Sequence, residues 1–202
     1  MEHKVRIAED PSSPCVYLVH GRAGDASVMW TFKQAIPEHF SIISPQGIVA
    51  DPIGGFSWWR VDQDSFGTRE YAHEKLKLFL SEVEGRYNIS PRKRIAIGFS
   101  QGAGLLSILL HRDPNYFDGM ALLSGFVVTG KVECIDRPKT KIFISHGEND
   151  SVIPVEKARA GRDHLINNHF EIEYVEDPVD HKIGAKGMRS LKKWLSEFIT
   201  QH

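Results

Sequence analysis

"RIAIGFSQGAGLLSILL", at positions 94–110, decides how the chain is read. Its first part, Arg94 to Phe99, is a short apolar run with isoleucines, as a buried strand requires. Its second part, from Gln101, carries leucine and isoleucine at helical spacing. Between them stands Ser100, with Gly98 and Gly102 two residues to either side. A strand that turns sharply into a helix lying close on it is the opening of a βαβ unit, so the stretch predicts a parallel sheet covered by helices.

Further runs of the same kind lie on both sides: "CVYLVHG" (15–21), "FSIISPQ" (40–46), "GMALLSG" (119–125), "KIFISHG" (141–147) and "FEIEYVE" (170–176). "KVRIAE" (4–9) alternates instead and reads as an outer strand. Helical patterns fall between them at 26–36, 68–87, 101–112, 155–168 and 185–200. Pro154 and Pro114 stand where helix boundaries place proline. This alternation predicts an α/β class: a three-layer α/β/α sandwich around a mainly parallel sheet. The 202 residues hold no repeat, low-complexity tract or dividing linker and suit one domain, residues 1–202.

Composition narrows the function. Twenty-five basic residues balance 26 acidic ones, for a net charge of -1, whereas a nucleic-acid binder carries a basic excess. "PRKR" (91–94) and "KK" (192–193) read as solvated faces. No window approaches the roughly 18 apolar residues of a membrane span. The segment "MEHKVRIAEDPSSP" has charges and prolines where a signal peptide needs an apolar stretch. Cys15 and Cys134 form no metal or redox motif, and Cys15 opens a buried run, as a reduced thiol would. Together these features point to the cytoplasm.

"GFSQG" (98–102) fits G-x-S-x-G. The string alone is weak, and a plain βα turn with an N-capping serine would match it too. Its position after a strand and before a helix is the setting of a nucleophile elbow. There the helix N-terminus favours negative charge developing beside the serine. A serine nucleophile needs a base, and the base an orienting acid, on later loops at the same sheet edge. Asp150 falls on the loop after "KIFIS", and His181 on the loop after "FEIEYVE". The order Ser100, Asp150, His181 is that of α/β-hydrolases, each at the carboxyl end of a strand. Glu148 and Asp180 are competing carboxylates. Asp180 adjoins His181, which usually turns its side chain elsewhere, and Glu148 suits a part in loop shape. His20 and His146 each precede a glycine at a strand end and are expected to bond loop backbone.

These pieces resemble the small carboxylesterase and phospholipase family of α/β-hydrolases that also contains the acyl-protein thioesterases. The matching segments are "HGRAGD" (20–25), "SWW" (57–59), "GFSQGA" (98–103), "LLSGF" (122–126), "HGENDSVIP" (146–154) and "DHKIG" (180–184), in the family's order. The resemblance implies an α/β-hydrolase fold without a large lid, acting on small ester or thioester substrates with no cofactor and no metal. It implies Ser100 as nucleophile, Asp150 as acid and His181 as base. It also implies an oxyanion hole made by the backbone N–H groups of Arg22 and Gln101, fixed donors that need no reorganisation as charge develops. Three positions depart from the family pattern: Arg22 where leucine is common, Asp180 where glycine is usual, and Arg60 after the aromatic pair.

The expected pocket comes from the aromatic loop "GGFSWWRVD" (54–62) and neighbouring loops: Phe56, Trp58, Trp59, Phe126 and Ile153, with Arg60. Were Arg22 and Arg60 both to reach the cleft, their forked donors would suit an anionic ester. Exposed aromatics near the mouth would support a homodimer. The reading that results is a serine hydrolase of carboxylic esters working through an acyl-enzyme on Ser100. A thioesterase is the alternative, as is a peptidase or lactonase on the same scaffold. A non-catalytic ligand-binding protein is the alternative of another class.

Overall fold

A computed structural model describes residues 1–128 and 138–199; Cys134 and the last residue of the helix expected at 185–200 lie outside them. Seven strands form one sheet: β1 (His3–Arg6), β2 (Cys15–Val19), β3 (Ser41–Pro45), β6 (Arg94–Phe99), β7 (Gly119–Leu123), β8 (Lys141–Gly147) and β9 (Ile172–Asp177). Their order is β1-β3-β2-β6-β7-β8-β9. Only β1 runs antiparallel, on the edge against β3. It stops at Arg6, short of the 4–9 run. Each run in the sequence has its strand, and the mainly parallel three-layer architecture is the expected one.

Alternate residues of each buried strand feed opposite faces, because strand side chains have a period of two. In β2, Cys15, Tyr17 and Val19 join one core, and Val16 and Leu18 the other. In β8, Ile142 and Ile144 face the first and Phe143 the second. The first core is covered by α1 (Phe66–Arg86), α2 (Gln101–Arg112) and α3 (Val155–Asn167), through residues such as Leu76, Leu106 and Leu165. The second is covered by α4 (Ala185–Ser196), through Leu191 and Trp194, and by a 3-10 helix, Val28–Ala35, through Met29 and Phe32. The stretch expected as an α-helix at 26–36 is thus a tighter helix. α1 begins at Phe66, ahead of the expected 68. A capping box sets that start, with Ser65 and Thr68 each bonding the other's backbone N–H.

A short hairpin, β4 (Val49–Ala50) and β5 (Phe56–Ser57), stands apart from the main sheet. Two-residue strands carry no periodicity, which is why the sequence reads as loop there. The hairpin continues into the segment 20–25 through a bridge between Gly24 and Phe56. Among the described residues, no helix is long and apolar enough to cross a membrane. Cys15 is buried, and burial pushes its thiol up to about 12.

Candidate active site

The sheet changes direction at β2, with β3 on one side and β6 on the other. Such a switch point leaves a crevice at the carboxyl ends of the strands. Ser100 sits there, at the turn from β6 into α2, with φ 52° and ψ -113°. A left-handed φ at a residue with a Cβ stores strain of about 1–3 kcal/mol. The turn is held by its N–H, which donates to Leu123 O (2.9 Å). Gly98 and Gly102 make it possible sterically. A Cβ on Gly98 would lie 2.7 Å from the Gly102 backbone, and one on Gly102 would lie 2.2 Å from Val19 O.

His181 Nε2 lies 3.0 Å from Ser100 Oγ, and His181 Nδ1 lies 2.8 Å from Asp150 Oδ2. An ionised carboxylate only accepts, so Nδ1 carries the proton and Nε2 is free to accept from the serine. Asp150 Oδ1 accepts from the N–H groups of Val152 (2.9 Å) and Ile153 (2.7 Å). Burial alone would raise the Asp150 carboxyl. The Ile153 N–H, the His181 ring and the Val152 N–H outweigh it, and hold the group below the usual carboxylate range. His146 Nε2 donates to Ile153 O (2.8 Å) behind this loop and approaches Asp150 Oδ2 at 3.3 Å. The loop carrying His181 is closed by Asp177, at the end of β9. Its carboxylate accepts from the Lys186 and Gly187 N–H groups in the first turn of α4.

The competing carboxylates take other places. Glu148 is exposed, and its N–H donates to Asp177 O. Asp180 Oδ1 accepts from Ser151 N–H (2.8 Å), Ser151 Oγ (2.9 Å) and His181 N–H (2.7 Å), so it joins the two loops.

Gln101 follows Ser100 directly, and the Gly21–Arg22 segment packs beside it. Gln101 is the first residue of α2, so its N–H has no partner within the helix. Arg22 follows Gly21, where a Cβ would lie 3.1 Å from Ser100 Cβ. His20 Nε2 accepts from Gly47 N–H (2.7 Å), so Nδ1 carries the proton and donates to Gly21 O (2.6 Å). Burial lowers the His20 pKa, in keeping with that neutral ring.

The aromatic pocket expected from the sequence is corrected by the structure. Trp58 is 0% exposed and its indole N–H donates to His20 O; Trp59 is 4% exposed. Both rings belong to the first core, because the backbone of this segment is tied inward by the side chain of Gln101. Gln101 Oε1 accepts from Trp58 N–H (2.9 Å) and Nε2 donates to Trp59 O (2.8 Å). The Phe126 ring lies over Gly104 of α2, and Ile153 is buried behind Asp150. Phe56 pairs with Ala50 and bridges Gly24. Arg60 is exposed to solvent in part and engages Asp62 through both prongs (2.9 and 2.6 Å). Arg22 engages Asp51 in the same way (3.0 and 3.3 Å), so each guanidinium fork already holds a carboxylate. The burial of both tryptophans also removes the ground on which a homodimer was expected.

The cleft that opens on Ser100 and His181 has a volume of about 480 Å³. Val28, Met29 and Phe32 of the 3-10 helix form one wall, with Ile53 from the hairpin, and Val152 and Ile183 the other. The sequence marks this stretch only as a helical pattern at 26–36. Apolar spacing over eight residues carries no mark that separates a core side chain from a cleft wall.

Known proteins resemble the chain in sequence and in fold. Over 119 residues the chain is 34% identical to a probable carboxylesterase of Oryza sativa, which is 55% of this chain and 44% of that one. The match thus spans less than half the length of the rice protein. It is 29% identical over 176 residues to acyl-protein thioesterase 1 of Kluyveromyces lactis, 75% of this chain and 77% of that one. The crystal structure of the Bacillus cereus carboxylesterase superposes with a TM-score of 0.87 at 21% identity, covering 98% of this chain and 94% of that one, and so shares the fold. The phospholipase/carboxylesterase family model matches residues 1–199, and the chain belongs to that family.

Proposed function

We propose that this protein is a serine hydrolase that cleaves carboxylic esters through an acyl-enzyme on Ser100. The observation that carries the reading is the unbroken relay from Ser100 Oγ to His181 to Asp150, standing at a strained turn beside an apolar cleft. As Ser100 Oγ attacks the substrate carbonyl, His181 Nε2 takes its proton, and Asp150 stabilises the imidazolium. The Arg22 and Gln101 amides hold the oxyanion. The protonated His181 then gives its proton to the leaving alcohol. Water, losing a proton to the same ring, attacks the acyl-enzyme; the ring returns that proton to Ser100 Oγ as the Ser100–acyl bond breaks, and the acid is freed. The apolar walls of the cleft suit an acyl chain, and the paired arginines favour no anion. A thiol leaving group is the second reading, supported by the similarity to the Kluyveromyces lactis acyl-protein thioesterase.

A fluorophosphonate probe and a chain-length series of p-nitrophenyl esters, beside matched acyl thioesters, test this. The wild-type protein is expected to be labelled once per chain and to turn over esters. Ser100→Ala is expected to lose labelling and at least about 10³-fold in kcat. A folded wild-type protein that is neither labelled nor active would leave a ligand-binding protein as the better account.

A further inference from the structure

The relay above makes no use of Asp51, an aspartate whose side chain is 1% exposed and which lies within reach of the Arg22 loop. Its Oδ2 accepts from Arg22 Nε (3.0 Å) and Ser57 Oγ (2.8 Å). Its Oδ1 accepts from Arg22 Nη2 (3.3 Å) and Ile53 N–H (3.2 Å). Ser57 Oγ, held in this way, accepts in turn from Ala23 N–H (3.1 Å). The peptide between Arg22 and Ala23 is therefore gripped from two directions. Arg22 is held through its side chain and Ala23 through its backbone, and both lines end on one carboxylate.

The grip opposes a backbone that would otherwise relax. Ala23 has φ 58°, a left-handed conformation that costs a residue with a Cβ. Gly55 lies against it so closely that a Cβ there would fall 2.3 Å from Ala23 O. Phe56 N–H donates to Gly24 O (2.7 Å), completing the seam between the hairpin and this loop. The Arg22 fork holds the carboxylate pKa down at about 2, and the Ser57 hydroxyl and Ile53 N–H add to this against the effect of burial. The network is therefore charge-assisted throughout the neutral range.

We infer that Asp51 is a positioning residue for the oxyanion-binding loop, fixing the Arg22 N–H toward Ser100 through the Arg22 side chain and Ser57. This rests on the hydrolase reading of the site. It also accounts for an arginine at position 22. The backbone N–H alone would serve with any side chain, but only a forked cation lets a buried carboxylate anchor the same residue from the far side.

The test is Asp51→Asn, with Ser57→Ala as a second variant that removes one line of the grip and no charge. Arg22→Leu and the Arg22→Leu/Asp51→Asn pair complete the cycle. Ester hydrolysis and inhibition by a trifluoromethyl ketone, which forms a tetrahedral adduct with a serine nucleophile, are measured on protein whose folding is checked by thermal unfolding. In Asp51→Asn, kcat is expected to fall about 10- to 100-fold and ketone affinity by a similar factor, with KM within about twofold. These magnitudes follow from partial loss of one oxyanion donor. Ser57→Ala is expected to fall about 3- to 10-fold in the same manner. The double variant is expected to lose little beyond the larger single loss, because the line that Arg22→Leu cuts ends on the carboxylate that Asp51→Asn has already replaced. Unchanged kcat and ketone affinity in folded Asp51→Asn or Ser57→Ala would overturn the inference while the hydrolase reading stood. Losses confined to thermal stability, or to KM, would overturn it too. A wild-type protein without turnover or labelling would remove both.

Discussion

Two aspartates outside the relay each tie one loop of the cleft to another. Asp51 joins the hairpin to the Arg22 loop, and Asp180 joins the Ser151 loop to the one carrying His181. Asp51 is sealed under its partners, whereas Asp180 is exposed. A bond withdrawn from water is worth more and is costlier to break than one that water can replace. The two walls of the cleft differ accordingly. The His181 wall is built by the sheet, which delivers Asp150 and His181 from the ends of β8 and β9. The Arg22 loop also leaves the sheet, at the end of β2, but its conformation is tied to the hairpin by side-chain cross-links through Asp51 and Ser57.

The largest expected effect lies where the walls meet. Gly102→Ala puts a Cβ 2.2 Å from Val19 O and 2.6 Å from His20 O, backbone against backbone, with no flexible side chain to yield. We expect a destabilisation upward of about 3 kcal/mol, with α2 forced off β2. Denaturant unfolding measures it, and a shift below about 1 kcal/mol would mean that the junction is looser than drawn.

Next comes Gln101→Ala, which tests the Arg22 wall alone. The backbone N–H of Gln101 is retained, but Trp58 N–H and Trp59 O lose their partners inside the core. Each stranded group costs about 1–3 kcal/mol. Thermal unfolding is expected about 5–15 °C lower, at the usual response of a chain this size. A melting temperature within about 2 °C of wild type would show that the aromatic segment needs no such tie.

The same division explains how much the sequence disclosed. The parallel sheet was legible because β2, β6, β7 and β8 are buried on both faces and read as continuous apolar runs. Ser100, Asp150 and His181 were legible as a set because each follows an expected strand, so the topology brings them to one edge. The cleft was not. Trp58 and Trp59 are aromatic residues in a loop, and aromatic character alone does not tell whether a ring faces inward or toward a ligand. That choice was made by Gln101, 43 residues from Trp58, and no periodicity links the two. Asp51 was passed over for the same reason: a lone aspartate beside "PIGG" looks like turn chemistry. Asp180 stood out as a competing carboxylate and as a departure from glycine beside the base. Its carboxylate bonds the His181 backbone and leaves the ring to Asp150.

The smallest effect is expected at Asp180, and it sharpens the contrast with Asp51. The Ser151 N–H, the Ser151 hydroxyl and the His181 N–H hold its carboxyl below the usual carboxylate range. A depressed folded-state pKa stabilises fully only above the unfolded value, near 4, and the contribution fades as pH falls through the folded value. Asp180→Asn keeps an oxygen that can accept but loses the charge. Wild type and variant should therefore differ slightly in melting temperature at neutral pH, and converge below about pH 4. Exchange of the Ser151 and His181 amides should quicken in the variant, with kcat within about threefold of wild type, because β8 and β9 still hold Asp150 and His181 in place. A larger drop in kcat at unchanged stability would mean that the sheet does not by itself fix the His181 wall. Both sides of the cleft would then depend on cross-links of the same kind.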